Sequence, residues 1–215
     1  MYLQEYMDRT ALLLDNPNDF VLKQAIKLDV LAARAKLIRD QFTNTHTFPV
    51  SAIIPLKCLA LEEVSSTMCC SIDLGCTVLR SVEKIPRPID VKDTVNFNFV
   101  GSVDFVSEWG WFKPEEVSRI KYRKWSSNEI YYSWIGDYIV VFNTLIPKAF
   151  SMRYPIANLV EAERLKNCYG EQCLPLEQTI VIEDHWIEPI DKMIFAKYRK
   201  PLVDKQIKVD EDEES

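Results

Sequence analysis

The sequence predicts an α+β protein whose N- and C-terminal helices pack together around a central, antiparallel, β-rich insert dense in aromatic residues. Three observations carry that expectation. Apolar residues recur at threes and fours from Phe20 to Phe42 and again from Asp184 to Tyr198, the period of a helix with one buried face. Between them, Ile130–Phe142 reads as strand, tight turn, strand. Tyr131, Tyr132, Trp134, Tyr138 and Ile139–Phe142 suit a pleated surface, and Gly136-Asp137 stands where a two-residue hairpin turn needs positive φ. Finally, the order along the chain is helices, strand-rich insert, helices, which suggests an α+β protein whose first and last helices share one layer.

Taken in order, Tyr2–Leu14 carries a short helical pattern, and Asp15-Asn16-Pro17-Asn18-Asp19 is a turn rich in capping residues. Phe20–Phe42 is then a long amphipathic helix. Its Val21/Ala25/Leu28/Ala32 side is expected to pack on the last helix near Trp186 and Ile190. Thr43–Pro49 is a polar break. Val50–Pro55 leads into a strand, Leu56–Ser65 reads as a further helix, and Ile72–Val82 as a strand after a bend at Gly75. Ile85-Pro86-Arg87-Pro88-Ile89 is stiff and extended. Val95–Val103 alternates as a strand does, Pro114–Ile120 opens like a short helix, and Ala149–Tyr154 adds a strand after the hairpin. Ile156–Asn167 is a helix, Cys168–Leu174 a loop and Asp184–Tyr198 the closing helix. The expected parts are a helical segment 1–84, the β-rich insert 85–154, C-terminal helices 155–203 and an acidic, disordered tail 204–215.

Composition narrows the function. The chain has 215 residues, 47% hydrophobic and 27% charged, as a globular protein does. Its net charge of -6 is concentrated in Asp210–Glu214, so the body is nearly neutral and lacks the basic footprint of a tight nucleic-acid binder. No stretch approaches the ~20 apolar residues that cross a bilayer. The first residues lack the basic and apolar regions of a signal peptide, so the six cysteines are expected to be reduced.

Candidate chemistry is sparse. His46 lies in a polar linker and His185 beside Asp184, where each reads more simply as an exposed capping residue than as an acid–base group. Cys168 and Cys173 bracket four residues and are the best metal or disulfide candidates, but a structural zinc site needs four ligands and no second tight pair has the right spacing, so free thiols are the simpler reading beside a disulfide within this loop. No phosphate-cradling, zinc-protease or nucleophile-elbow motif occurs, and there are only five glycines. The acid pairs Glu62-Glu63, Glu115-Glu116 and Glu183-Asp184 suit helix starts or solvated faces. Catalytic, metal and cofactor residues are therefore not assigned. The run Arg119–Trp125 mixes basic and aromatic residues: it could stack bases, form a guarded sheet edge, or dock an acidic neighbour. Candidate subunit-interface residues are Tyr131, Tyr132, Trp134, Tyr138, Arg123, Lys124 and Trp125.

The order of signals also matters. N-terminal helices precede Leu79–Ile89 with its Pro-Arg-Pro, then Phe99–Asp104, Ile120–Trp125, the hairpin Tyr131–Asn143, Ile156–Glu161 and a closing helix before a charged tail. This arrangement resembles neck proteins of short-tailed, crAss-like bacteriophages, the adaptor or ring proteins stacked beneath the portal. The resemblance implies a structural, non-enzymatic virion protein of the neck or tail, made in the host cytoplasm. It further implies a homo-oligomeric ring, a dodecamer matching the portal, through which double-stranded DNA passes without sequence readout and without a membrane partner. The alternative class is a hydrolase or nuclease carried by the virion, which would need acids and a histidine gathered around one cleft.

Overall fold

The computed structural model describes residues 1–65, 77–89, 97–113, 129–142 and 147–198. The expected helix at Pro114–Ile120, the basic run including Arg123, Lys124 and Trp125, the cysteines Cys69, Cys70 and Cys76, and the acidic tail lie outside the described residues. The chain divides into two compact units, Met1–Thr47 with Pro175–Ser215, and Phe48–Leu174.

The first unit is helical. Helix α1 (Leu3–Leu13) buries Leu3, Tyr6, Met7, Thr10 and Ala11, the i, i+3, i+4, i+7, i+8 stripe of an amphipathic helix. The Glu5 carboxylate accepts the Tyr2 N–H at 2.9 Å and closes its first turn. Helix α2 (Phe20–Thr45) starts where Asp19 accepts the Leu22 N–H at 3.0 Å and stops at left-handed His46, whose N–H donates to Phe42 O at 2.7 Å. It therefore runs three residues beyond the expected Phe42.

In this unit the N-terminal residues pair with the segment that precedes the closing helix. Leu3 N–H donates to Ile180 O at 3.0 Å, Ile182 N–H donates to Met1 O at 2.9 Å, and Tyr2 bridges Val181. Beyond the short helix α4 (Leu176–Thr179), α5 (Asp184–Tyr198) buries Trp186, Ile190 and Ile194. The packing of α5 on α2 and of α2 on α1 confirms that terminal helices share one layer. Polar ties fix their edges: Asp191 accepts from Tyr6 Oη at 2.5 Å and from Arg9 at 2.9 Å, and Lys197 and Tyr198 both donate to Asp29 at 2.7 Å.

The packing face of α2 differs from the expected one. Ile26, Val30, Ala33, Arg34 and Ile38 are buried, whereas Val21 is 77% and Leu28 55% exposed and Ala32 is exposed. Both sides of this helix carry apolar residues, so periodicity alone did not fix which side faces inward.

The second unit is a seven-stranded sheet in the order β3-β7-β1-β2-β6-β5-β4. The strands are β1 Ile53–Ser65, β2 Thr77–Ser81, β3 Phe99–Gly101, β4 Gly110–Trp111, β5 Tyr131–Ile135, β6 Tyr138–Phe142 and β7 Ala149–Pro155. Among the described residues, only β4 on β5 is parallel. The expected helix Leu56–Ser65 is instead part of β1. Its Leu, Lys, Ala and Glu content is helix-forming locally, but pairing with β7 through Ile53↔Pro155 and with β2 through Leu61↔Ser81 overrides propensity. The expected helix at Ile156–Asn167 contracts to α3 (Leu159–Glu163), capped by Asn158.

The hairpin stands as expected. Ile135 pairs with Tyr138 across Gly136 (φ 59°) and Asp137 (φ 70°), the two positive φ values of a type I′ turn. The edges of the sheet also meet. Trp109 N–H donates to Val100 O at 2.8 Å and Gly101 bridges Glu108, so the segment that enters β4 is bonded to β3 as well. That bridge closes the end of β3 onto the segment before β4 at the Ser102–Ser107 turn. Gly101 permits that closure: a Cβ would strike Ser107 O and lie 2.7 Å from Phe99 Cζ. Among the described residues no helix is long and apolar enough to cross a membrane.

Candidate assembly surface and the cleft beside the hairpin

The strap Ile85–Ile89 positions the cleft of the second unit. Prolines fix its extended form, and its remaining polar groups are used on both sides. Ile85 N–H donates to Asp137 O at 2.7 Å and Ile89 N–H to Pro155 O at 2.8 Å, while Arg87 O accepts from Ala157 N–H at 3.0 Å. Tyr154 donates its buried hydroxyl to Pro86 O at 2.9 Å. Arg87 Nε lies 3.3 Å from Asp137 Oδ1, which ties the strap to the hairpin turn.

These ties frame a cleft of about 800 Å³. Its charged wall is balanced: Lys84, Arg87 and Arg164 face Glu83, Asp137 and Glu161. Such a wall offers no net attraction to a phosphate-bearing ligand, and its polar groups suit contact with another protein surface.

The hairpin contributes differently at each position. Tyr131 and Tyr132 are 6% and 5% exposed, and Tyr131 donates its hydroxyl to the Glu129 carboxylate. Burial, with Glu108 adding to it, pushes the Tyr132 hydroxyl well above its usual pKa. Trp134 and Tyr138 are half-buried, and the Arg80 guanidinium lies 4.3 Å from the Tyr138 ring centroid. Phe97 is the hub of one aromatic wall, with centroids 5.2 Å from Tyr154, 6.0 Å from Trp134 and 6.2 Å from Tyr132 and Trp111. Trp111, part of that wall and partly exposed, is a surface aromatic that sequence reading did not single out.

The histidines do not converge on one site. His185 Nδ1 lies 3.3 Å from Glu183 at the start of α5, and His46 caps α2. Among the described residues no three His, Cys, Asp or Glu side chains gather to hold a metal ion.

The cysteines bring the largest departure from expectation. Cys58 and Cys168 form a disulfide across 110 residues of sequence, and Cys173, the other end of the four-residue spacing, stays a free thiol. The bond sits on a β-bulge. Between Leu56↔Met152 and Leu59↔Phe150, Cys58 takes φ 52°. Its N–H donates to Ser151 Oγ at 3.1 Å, its carbonyl accepts from Cys168 N–H at 2.6 Å, and Ser151 Oγ donates onward to Val103 O at 3.0 Å. Burial, reinforced by Glu83, raises the Cys173 thiol to about 11.

Arg34 is the other residue that pattern reading missed. It is 1% exposed, with its guanidinium 5.8 Å from the centroid of Trp186. Burial lowers its pKa to about 10 against the opposing attraction of Glu183, so it stays cationic at neutral pH.

Across residues 6–201 the chain matches a model of bacteriophage structural proteins, which places it in the tail of the virion. That model is described as phage tail ring protein 2, and the chain belongs to this family. The resemblance to ring proteins of crAss-like phages is thereby borne out. No curated protein matches the chain.

Proposed function

We propose that copies of this chain form a dodecameric ring in the head-to-tail connector, below the portal, around the path along which double-stranded DNA leaves the capsid. In this reading the subunit is made in the host cytoplasm, does no chemistry, and binds neighbours rather than a small ligand. The observation that carries it is membership of the tail ring family over residues 6–201. The charge-balanced cleft and the near-neutral body support it, because a conduit must not grip its cargo. The half-buried Trp134 and Tyr138 are proposed as contact points of the insert, held in place by buried Tyr131 and Tyr132. Arg123, Lys124 and Trp125 remain proposed contacts as well.

The test is a reconstruction of purified particles with quantitative mass spectrometry. A closed ring of this chain adjoining the portal is expected; a single copy per particle, or a position remote from the portal, overturns the connector reading. Nuclease and peptidoglycan-hydrolase assays with magnesium, manganese and zinc are expected to show no turnover. Activity abolished by His185→Ala would replace the structural reading with the enzyme alternative.

A further inference from the structure

Helix α2 is apolar on two opposite sides, and its own unit uses one of them. At about 100° per residue, Val21, Ala25, Leu28, Ala32 and Ala35 fall within an arc of roughly 80°. Ile26, Val30, Ala33 and Ile38, on the other side, are buried. On the outward stripe Val21 is 77% and Leu28 55% exposed, with Phe20, 71% exposed, flanking it. The spacing of 4-3-4-3 is that of a helix seam, and the alanines let another backbone approach closely. Large side chains exposed along one stripe mark an interaction site rather than the scattered apolar residues of an ordinary surface.

We infer that this stripe of α2 is the seat of a second copy of the chain, the lateral contact between neighbours in the ring. The inference rests on the ring reading, since a family of tail ring proteins places identical copies side by side. A ring closes through a heterologous contact, so the stripe meets a different surface of the next copy and not the same stripe about a two-fold axis. Leu28 and Val21 are its anchors, and the stripe ends among the exposed cations Lys36 and Arg39, which form a polar rim.

The experiment uses the full-length chain. Wild type, Leu28→Asp, Val21→Asp and, as a control at an exposed apolar position of the other unit, Val106→Asp are compared by sedimentation and native mass spectrometry. Concentrations run up to about 100 μM, where contacts with a Kd of ~10 μM are mostly occupied. Each variant is also melted at about 1 μM, well below that Kd, where association does not raise the melting temperature. Wild type and Val106→Asp are expected to self-associate beyond the dimer. The two stripe variants are expected to weaken association by roughly 30-fold or more, the size of an interface hot spot, with unchanged melting temperature. Association that survives both stripe substitutions overturns the assignment. So does a wild-type chain that stays monomeric or stops at a dimer, or a melting temperature that falls in both stripe variants. Copy number in purified particles is measured separately, so a ring present there with an indifferent stripe refutes this contact alone, whereas no ring refutes the function proposed above.

Discussion

Removing the Cys58–Cys168 bond should be the largest single loss of stability accessible without touching the apolar core. The cross-link joins the bulge of β1 to the loop after α3, at a sequence separation of 110 residues. Closing a loop of that length removes about 16 cal/mol/K of chain entropy from the unfolded state, or ~4.8 kcal/mol at room temperature. For a chain of this size each kcal/mol shifts the melting point by about 2–4 °C. Residual structure in the unfolded chain lowers the gain, so the expected drop on reduction is ~5–15 °C. The assay has two readouts. Thiols are titrated after air oxidation and denaturation, and at least two fewer than the six in the sequence are expected. Melts are then compared with and without reductant, and for the Cys58→Ala/Cys168→Ala double variant, which should ignore reductant. A confirmed disulfide whose reduction leaves the melting point within ~1 °C refutes the loop-entropy argument. Six titratable thiols after oxidation refute the pairing itself.

Four further outcomes follow from buried groups. Cys173, its thiol raised to about 11, should be alkylated at pH 8 about 100-fold more slowly than a thiol with the ordinary value of 9.0, as mass spectrometry after iodoacetamide would show. Because the unfolded chain ionises that thiol first, its contribution to stability should fall as pH rises from 9.0 to about 11. Ser151→Ala leaves the Cys58 N–H without its acceptor inside the bulge and should cost about 1–3 kcal/mol in a denaturant melt, whereas Ser151→Thr should recover part of it. Arg34→Ala should cost about 2–5 kcal/mol by opening a cavity beside Trp186, while Arg34→Met, which fills that space without charge, should cost much less.

What was legible in the sequence was local. The hairpin announced itself because turn chemistry at Gly136-Asp137 and β-favouring residues on both sides act within about thirteen residues, so every cue lies in one window. The closing helix was legible for the same reason, its Trp186, Ile190 and Ile194 stripe being unopposed. What failed was non-local. The second half of β1 carries Leu, Ala and Glu that prefer a helix, and the partners that hold it as a strand lie in β2 and β7, with Ile54 opposite Tyr154. The Cys58–Cys168 pair depends on a bulge in that same strand, so the misread element hid the disulfide too. Cys168 and Cys173 were close in sequence, but proximity along the chain does not orient two side chains toward each other.

The misjudged face of α2 carries a different lesson. Its sequence offered two apolar stripes, and the period cannot rank them because both satisfy it. Burial decides: branched Ile26, Val30 and Ile38 fill the unit's interior, while alanines dominate the stripe left outside. That division suits a subunit that must be stable alone before it meets its neighbours. Ala25, Ala32 and Ala35 limit the apolar area a free subunit shows, and Lys36 and Arg39 keep one end hydrated. Val21 and Leu28 retain enough apolar surface to reward docking. An aspartate at Leu28 therefore acts on assembly rather than on folding, since the unfolded and free folded states expose that side chain to similar degrees and the docked state alone would bury its charge.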